Sequence, residues 1–564
     1  MENFPATASG GVPLSAGTPP QNQTPPPPGP APVIPTVDAP RPPVPPSLPS
    51  PPPSPVATPL PPTLPPVPKP SIPFPSSSPF PLPGGPRPAA PPPPPPLPPP
   101  LPPAEEAPAG NLLERIRGLV RPLAILGIVA LLGVAVLSFA GLDLSRLPLI
   151  GSLFGQGGEV TLTYWGLWEN PDVINPLIAT FIEEYEGQNP RVNLTINYEK
   201  RSFGTLEQYK ETLLTRLQQG DGPDIFRLHN SWVSDFSAEI SPLPAEVLSE
   251  QDYALRFYPV SLSSAKVETE IYAIPLEYDG LVLFYNKTLL KDVDVPAKIK
   301  TWEDFRREAV KLTTWKDNDR DKGKILKAGA AFGSANNISH SADILSLLFA
   351  QSGVDPLTEL NTQAAADALT FYTNFSKVDR VWNETLPFSI NAFANGQVAM
   401  IIAPSWRALD VAALNPELEF ATALVPQLPA AAEGGVHWGT FWMEGVSADT
   451  ERSEIAWAFL EYLTREDQQR TIYAAEAQNR PFGEPYALSS LAESLAEHEI
   501  LGALLESAPL AVSSKTADLS GDKSYVDALK KAISDVLGQV KAAEALKTAQ
   551  TTIDQLEGKA PEEE

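Results

Sequence analysis

One stretch limits what this chain can be more than any other: Pro122 to Leu142, PLAILGIVALLGVAVLSFAGL. It carries no charge. After its proline it runs for roughly 20 residues, which at about 1.5 Å per residue crosses a ~30 Å hydrocarbon core as a helix. Pro122 falls in the first turn, where a missing N–H costs nothing. A core helix of a water-soluble domain is rarely apolar all the way round, so the stretch predicts one membrane-crossing helix. Arg115, Arg117 and Arg121 precede it, and only Arg146 follows closely, beside Asp143. That bias places the N-terminal side in the cytoplasm and the remainder outside. About 120 residues come first, so the segment reads as an uncleaved anchor over 111–143 and not as a signal peptide.

The two sides of that anchor are different materials. Roughly two thirds of the 68 prolines fall before Ala109. Proline fixes φ and removes donors, so 1–110 is expected to be a disordered, polyproline II-like cytoplasmic tail. It is either a spacer or a docking segment for an aromatic-lined groove on a cytoplasmic partner, and composition leaves both open. Residues 144–158 hold Pro148 and several glycines and read as a linker. Of the net charge of −26, almost all belongs to the distal part, since about seven basic and six acidic residues precede Gly158. An acidic exterior argues against nucleic acid as a partner. The absence of cysteine excludes disulfides, thiolate metal sites, a cysteine nucleophile and a lipid-modified N-terminal cysteine.

From Glu159 the pattern is α/β. Val160–Trp165 has strand character, Val173–Glu186 is an amphipathic helix, and Val192–Tyr198 alternates as a strand. A helix over Leu206–Gln219 and the turn GDGPDIFRL then feed a third strand, the rhythm of a doubly wound layer. Ile271–Leu290 reads as two strands broken at Glu277–Gly280. Thr301 is a good N-cap, with Asp304 near a capping-box position. Further helices are expected near Ala342–Gln351, Thr362–Asn374, Ile390–Asn395 and Arg452–Leu463, and a strand over Gly396–Ala403. Gly434–Ser447 reads as a glycine-rich loop, and the chain after Ser524 as helical to about Leu556.

In that order the blocks GDGPDIF (Gly220–Phe226), NSWVSDFS (Asn230–Ser237), IYAIPLEYDGLVLFYNK (Ile271–Lys287), TWEDF (Thr301–Phe305) and GQVAMIIAPSW (Gly396–Trp406) carry a resemblance. With the closing helix they make residues from about Val160 to Leu556 similar to the bacterial extracellular solute-binding family that includes maltose-binding protein. Its members are the receptors of carbohydrate ABC importers. The resemblance implies a two-lobed periplasmic-binding-protein-like α/β fold with a hinge and an interlobe cleft. It assigns 159–278 and 438–508 to lobe 1, 279–437 and the helices of 509–556 to lobe 2, and 557–564 to an acidic tail. It also implies a carbohydrate ligand, ABC permease subunits as partners, no cofactor and no catalysis.

A sugar site needs flat aromatic surfaces and a few fixed donors and acceptors. Of the 10 tryptophans, Trp168, Trp232, Trp406, Trp438 and Trp442 fall in loops at strand ends or crossings and are cleft candidates. Trp302, Trp315, Trp382 and Trp457 sit in or beside helices and read as packing. By resemblance Asp279 matches the family's carboxylate at the first crossing. Glu169 lies where the family often places a polar contact, or else is a helix N-terminal acid. Asn230 and Ser231 resemble polar sugar contacts, Asn336 lies in a loop that faces the cleft, and Arg480 is a basic loop residue near it or a surface cation. The acid-rich Asp317–Gly323 departs from a calcium loop at its glycine and at position twelve, and reads as a hairpin turn. The four histidines are too scattered for a metal site. A glycosidase with paired carboxylates and a ligand sensor are the competing classes.

Overall fold

The computed structural model describes residues 158–428, 435–517 and 524–559. The expectations for the tail, the anchor helix and the linker before Gly158 lie outside them. Among the described residues no helix is long and apolar enough to cross a membrane.

Two five-stranded sheets organise what is described. In the first, β1 (Gly158–Gly166) lies parallel to both β2 (Val192–Lys200) and β3 (Ile225–His229). Val160, Leu162 and Tyr164 turn inward along β1, as the alternation of its sequence requires. The helix Pro171–Gln188 connects β1 to β2. Asn170 caps it, Pro171 begins it, and Val173, Ile174, Leu177, Ile178 and Phe181 are its buried face. A short hairpin of β4 (Lys266–Val267) and β5 (Glu270–Ile271) precedes β6 (Ile274–Pro275), at the sheet edge.

The chain then passes into the second sheet. Its strand order is β11-β7-β10-β9-β8, with β7 (Leu281–Asn286), β8 (Thr314–Trp315), β9 (Ile325–Ala330), β10 (Val398–Pro404) and β11 (Phe420–Ala423). The Thr301–Asp304 capping box forms on the helix Trp302–Leu312, and buried Trp302 donates to Gln351 Oε1 at 2.6 Å, which seats it. Asp317–Gly323 makes the turn between antiparallel β8 and β9.

Gly434–Ser447 is not simply a loop. It contains β12 (His437–Trp438), which pairs with β14 (Ala511–Val512), and β13 (Trp442–Val446). β13 returns to the first sheet and inserts between β3 and β6, antiparallel to both. The glycines of the surrounding segment hid a five-residue strand whose Met443 and Val446 are fully buried. The C-terminal helical stretch is also two helices, Ser524–Leu537 and Ala542–Leu556. Gln539 at φ 80° turns the chain between them. Both pack on Gln363–Lys377, a helix of the second sheet's side.

Candidate functional site

The carboxyl ends of β1, β3 and β10 converge on a cavity of about 310 Å³, where open α/β sheets place ligands. The first sheet supplies Trp168, His229, Thr440 and Trp442. From the second come Pro404, Trp406, Arg407 and Leu409. The first crossing adds Glu277 and Asp279, and the segment Arg480–Pro485 closes one side.

Three indoles line this space. Trp168 and Trp406 are the most exposed, at 43% and 40%, and they come from opposite sheets. Trp442 stands between core and cleft, edge-on to Trp168 at 4.7 Å and to Trp232 at 5.2 Å between ring centroids. Trp232 itself is fully buried, against Phe236 and Tyr209. It is a buttress behind Trp442 and not a wall of the cavity. Trp438 is likewise buried, and its indole N–H donates to Asp343 Oδ1 at 2.8 Å. A one-turn helix after β3 carries the Trp232 ring, and the β12–β14 strand pair the Trp438 ring, off the cleft that their loop-like sequence contexts suggested.

The polar candidates divide in the same way. Asp279 lines the cavity, yet both its oxygens accept from protein: Oδ1 from the N–H groups of Gly280 (2.6 Å) and Ser405 (2.8 Å), Oδ2 from Ser405 Oγ (2.9 Å) and Trp406 N–H (3.0 Å). Burial pushes its carboxyl up to about 7 against those donors. Asn230 is buried and ties the Phe441 backbone to Ser264 and Ser513. Ser231 is buried on His229 Nδ1. Asn336 is exposed, donates to Glu384 and is not among the cavity's lining residues. Each of these three spends its hydrogen bonds on the scaffold. Arg480 does line the cavity, where it pairs with Glu476 and, at 2.9 Å, with Glu484.

Glu169 lies beneath Trp168 and forms an ion pair with buried Arg227, whose Nε also donates to fully buried Glu444 at 2.7 Å. The Arg227 guanidinium sits 5.7 Å from the Trp168 ring centre. Burial pushes Glu444 up to about 7 despite Arg227. Glu277 is pushed up by burial and by the neighbouring Glu484, and Glu476 to about 8 by the same two causes.

His229, Glu277, His340, Arg407, Phe482 and Glu484 line the cavity without having been expected there. His229 and His340 stand 111 positions apart in sequence, which hid their shared cavity. Arg227 and Glu444 did carry a signal: each is a lone charge in an otherwise apolar strand (IFRLH, WMEGV), a pattern that requires a buried partner. Among the described residues no group of three or more metal-ligating side chains could hold a metal ion.

Sequence relatives and solved structures are similar to this chain. The chain is 20% identical to a galactooligosaccharide-binding protein of Bacillus subtilis over 269 residues, 45% of this chain and 59% of that protein. A crystal structure of cyclo/maltodextrin-binding protein complexed with maltotetraose matches with a TM-score of 0.56 at 16% identity, covering 71% of this chain and 98% of that one. An ABC transporter solute-binding protein from Thermotoga lettingae, bound with α-D-tagatose, matches with a TM-score of 0.52 at 20% identity, covering 70% and 99%. The two structures share the α/β periplasmic-binding-protein-like fold with this chain. Residues 180–493, more than half of the sequence, match the family model described as bacterial extracellular solute-binding protein, and the chain belongs to that family.

Proposed function

We propose that this protein is the extracytoplasmic receptor of an ABC-type importer, which captures a sugar or oligosaccharide between its two sheets and delivers it to a membrane permease without altering it. The observation that carries the reading is the set of three indoles, Trp168, Trp406 and Trp442, facing one cavity from both sheets. Such rings cover the apolar faces of sugars at little cost in side-chain entropy, while Arg407, Arg480 and the cleft acids supply polar edges. The sugar-binding relative and the sugar-bound structural neighbours support the same ligand class. In this reading the lobes of 159–278 with 438–508, and of 279–437 with 509–556, close on the ligand about the crossings near Asp279 and Trp438. Residues 111–143 anchor the receptor, and 1–110 extend into the cytoplasm.

The test is a titration of the full-length protein in detergent, followed by intrinsic tryptophan fluorescence, with tagatose, maltotetraose and galactooligosaccharides. A saturable change with at least one of them is expected. A flat response to every sugar overturns the reading.

A further inference from the structure

Arg407 stands at the mouth of the helix Arg407–Leu414 and lines the cavity. Its guanidinium carbon lies over the Trp406 ring, 4.0 Å from the centroid. Its Nε donates to His340 Nε2 at 2.9 Å and its Nη1 to Asp410 at 2.8 Å. Among the described residues its Nη2 has no hydrogen-bond partner, although the side chain is only 16% exposed. A guanidinium N–H in a cavity wall with no protein acceptor is available to a ligand acceptor, in a charge-assisted hydrogen bond of the stronger kind.

The guanidinium is also held from behind. Because His340 Nε2 accepts from Arg407, the imidazole proton is on Nδ1, which faces Asp343 Oδ2 at 3.2 Å. Asp343 in turn accepts from the Trp438 indole. Asp343 and Trp438 are buried in the core, so a chain of hydrogen bonds fixes a long, rotamer-rich side chain before any ligand arrives. His340 meets the edge of the same Trp406 ring, at 6.1 Å and 87°.

We infer that Arg407 is a ligand-contacting residue that sets which sugar ring the second sheet's wall accepts, by closing one face of Trp406 to stacking and offering its remaining N–H edge to ligand hydroxyls in the cavity beside that ring. His340 is a positioning residue for it. This inference rests on the saccharide reading above.

The experiment uses the full-length protein in detergent and the same three sugars, with Kd measured for wild type, Arg407→Lys, Arg407→Met, His340→Leu and His340→Gln. Arg407→Met keeps an apolar stem without donors and is expected to weaken binding about 10- to 100-fold. Arg407→Lys loses the planar fork and is expected to weaken it about 10-fold. His340→Leu removes the acceptor for Nε and is expected to weaken binding, whereas His340→Gln, which still presents an acceptor, restores most of it. Arg407→Met binding within about twofold of wild type, alongside intact wild-type binding, overturns the proposal and leaves the receptor reading standing. Acrylamide quenching supplies a readout that needs no sugar. The Trp406 signal, taken as the difference from Trp406→Phe, should become more quenchable in Arg407→Met. Unchanged quenching overturns the closed-face assignment. Absence of wild-type binding to all three sugars removes the saccharide reading, and the ligand-contact half of the inference with it.

Discussion

Asp279 and Ser405, 126 positions apart, are joined by two hydrogen bonds, Ser405 N–H to Oδ1 at 2.8 Å and Ser405 Oγ to Oδ2 at 2.9 Å. The carboxylate at the first crossing therefore clamps the end of β10 and fixes the backbone that presents Trp406. Replacing it by asparagine keeps the shape but loses acceptors for the Ser405 and Trp406 donors. Asp279→Asn is expected to lower stability by about 1–3 kcal/mol and to weaken sugar binding through Trp406. Urea denaturation checks the first effect; no change in the midpoint would contradict the clamp.

Neighbouring tryptophans should separate binding from folding. Trp168→Ala removes an exposed ring of the cleft, so sugar affinity should fall while Tm stays within a few degrees. Trp232→Ala empties a fully buried site and should cost about 3–5 kcal/mol of stability. Thermal denaturation and sugar titration of both variants give the comparison. Equal losses of Tm would show that Trp168 is structural.

Removing Arg227 leaves Glu169 and Glu444 buried and uncompensated. Arg227→Met is expected to destabilise by about 3–5 kcal/mol, and adding Glu169→Gln with Glu444→Gln should recover a large part of it. Denaturant midpoints of the single and triple variants decide this. No recovery in the triple variant would mean that shape, not charge, sets the cost.

Stability should decline as pH rises from about 4.5 to 8 through part of this cluster. Asp279 and Glu444 are pushed up to about 7 and Glu476 to about 8, in each case first by burial. Within that window the folded state holds more protons than the unfolded state, so the slope of stability with pH from these groups is negative. Tm at constant ionic strength should be higher near pH 5.5 than near pH 8, and Glu444→Gln should flatten the difference. A Tm that climbs steadily over the interval would contradict the assignment.

Gly280 approaches the second return of the chain so closely that a Cβ would run into the carbonyl oxygen of Trp438. Since that obstacle is backbone, Gly280→Ala is expected to cost about 1–3 kcal/mol. An unchanged denaturation midpoint would show that the crossing adjusts freely.

Much of the scaffold was legible from local pattern. The alternation of β1 and β2, the apolar stripe of Pro171–Gln188 and the capping box at Thr301 each depend on residues close in sequence. β13 was not legible, because Gly445 within it and the glycines just before it resemble a loop until β3 and β6 flank it. The site was half visible for the same reason. Trp168, Trp406 and Trp442 reach the cavity, while Trp232 and Trp438 have similar sequence settings but are drawn into the core as their supports. The role of Arg407 depends on His340, Asp343 and Trp438, a set that only tertiary packing brings together.

The insertion of β13 between β3 and β6 bears on how the molecule is made. On the ribosome, β3 emerges with a fully buried sequence and one flank bare, and Arg227 must wait 217 residues for Glu444. Until then the nascent chain carries an open strand edge and a buried cation with only Glu169 of its two carboxylates, the condition in which sheets stick to other sheets. Completion of this layer is therefore a late, long-range event, and a chain cut short before Trp442 would be left with a gap in its centre that no earlier segment fills.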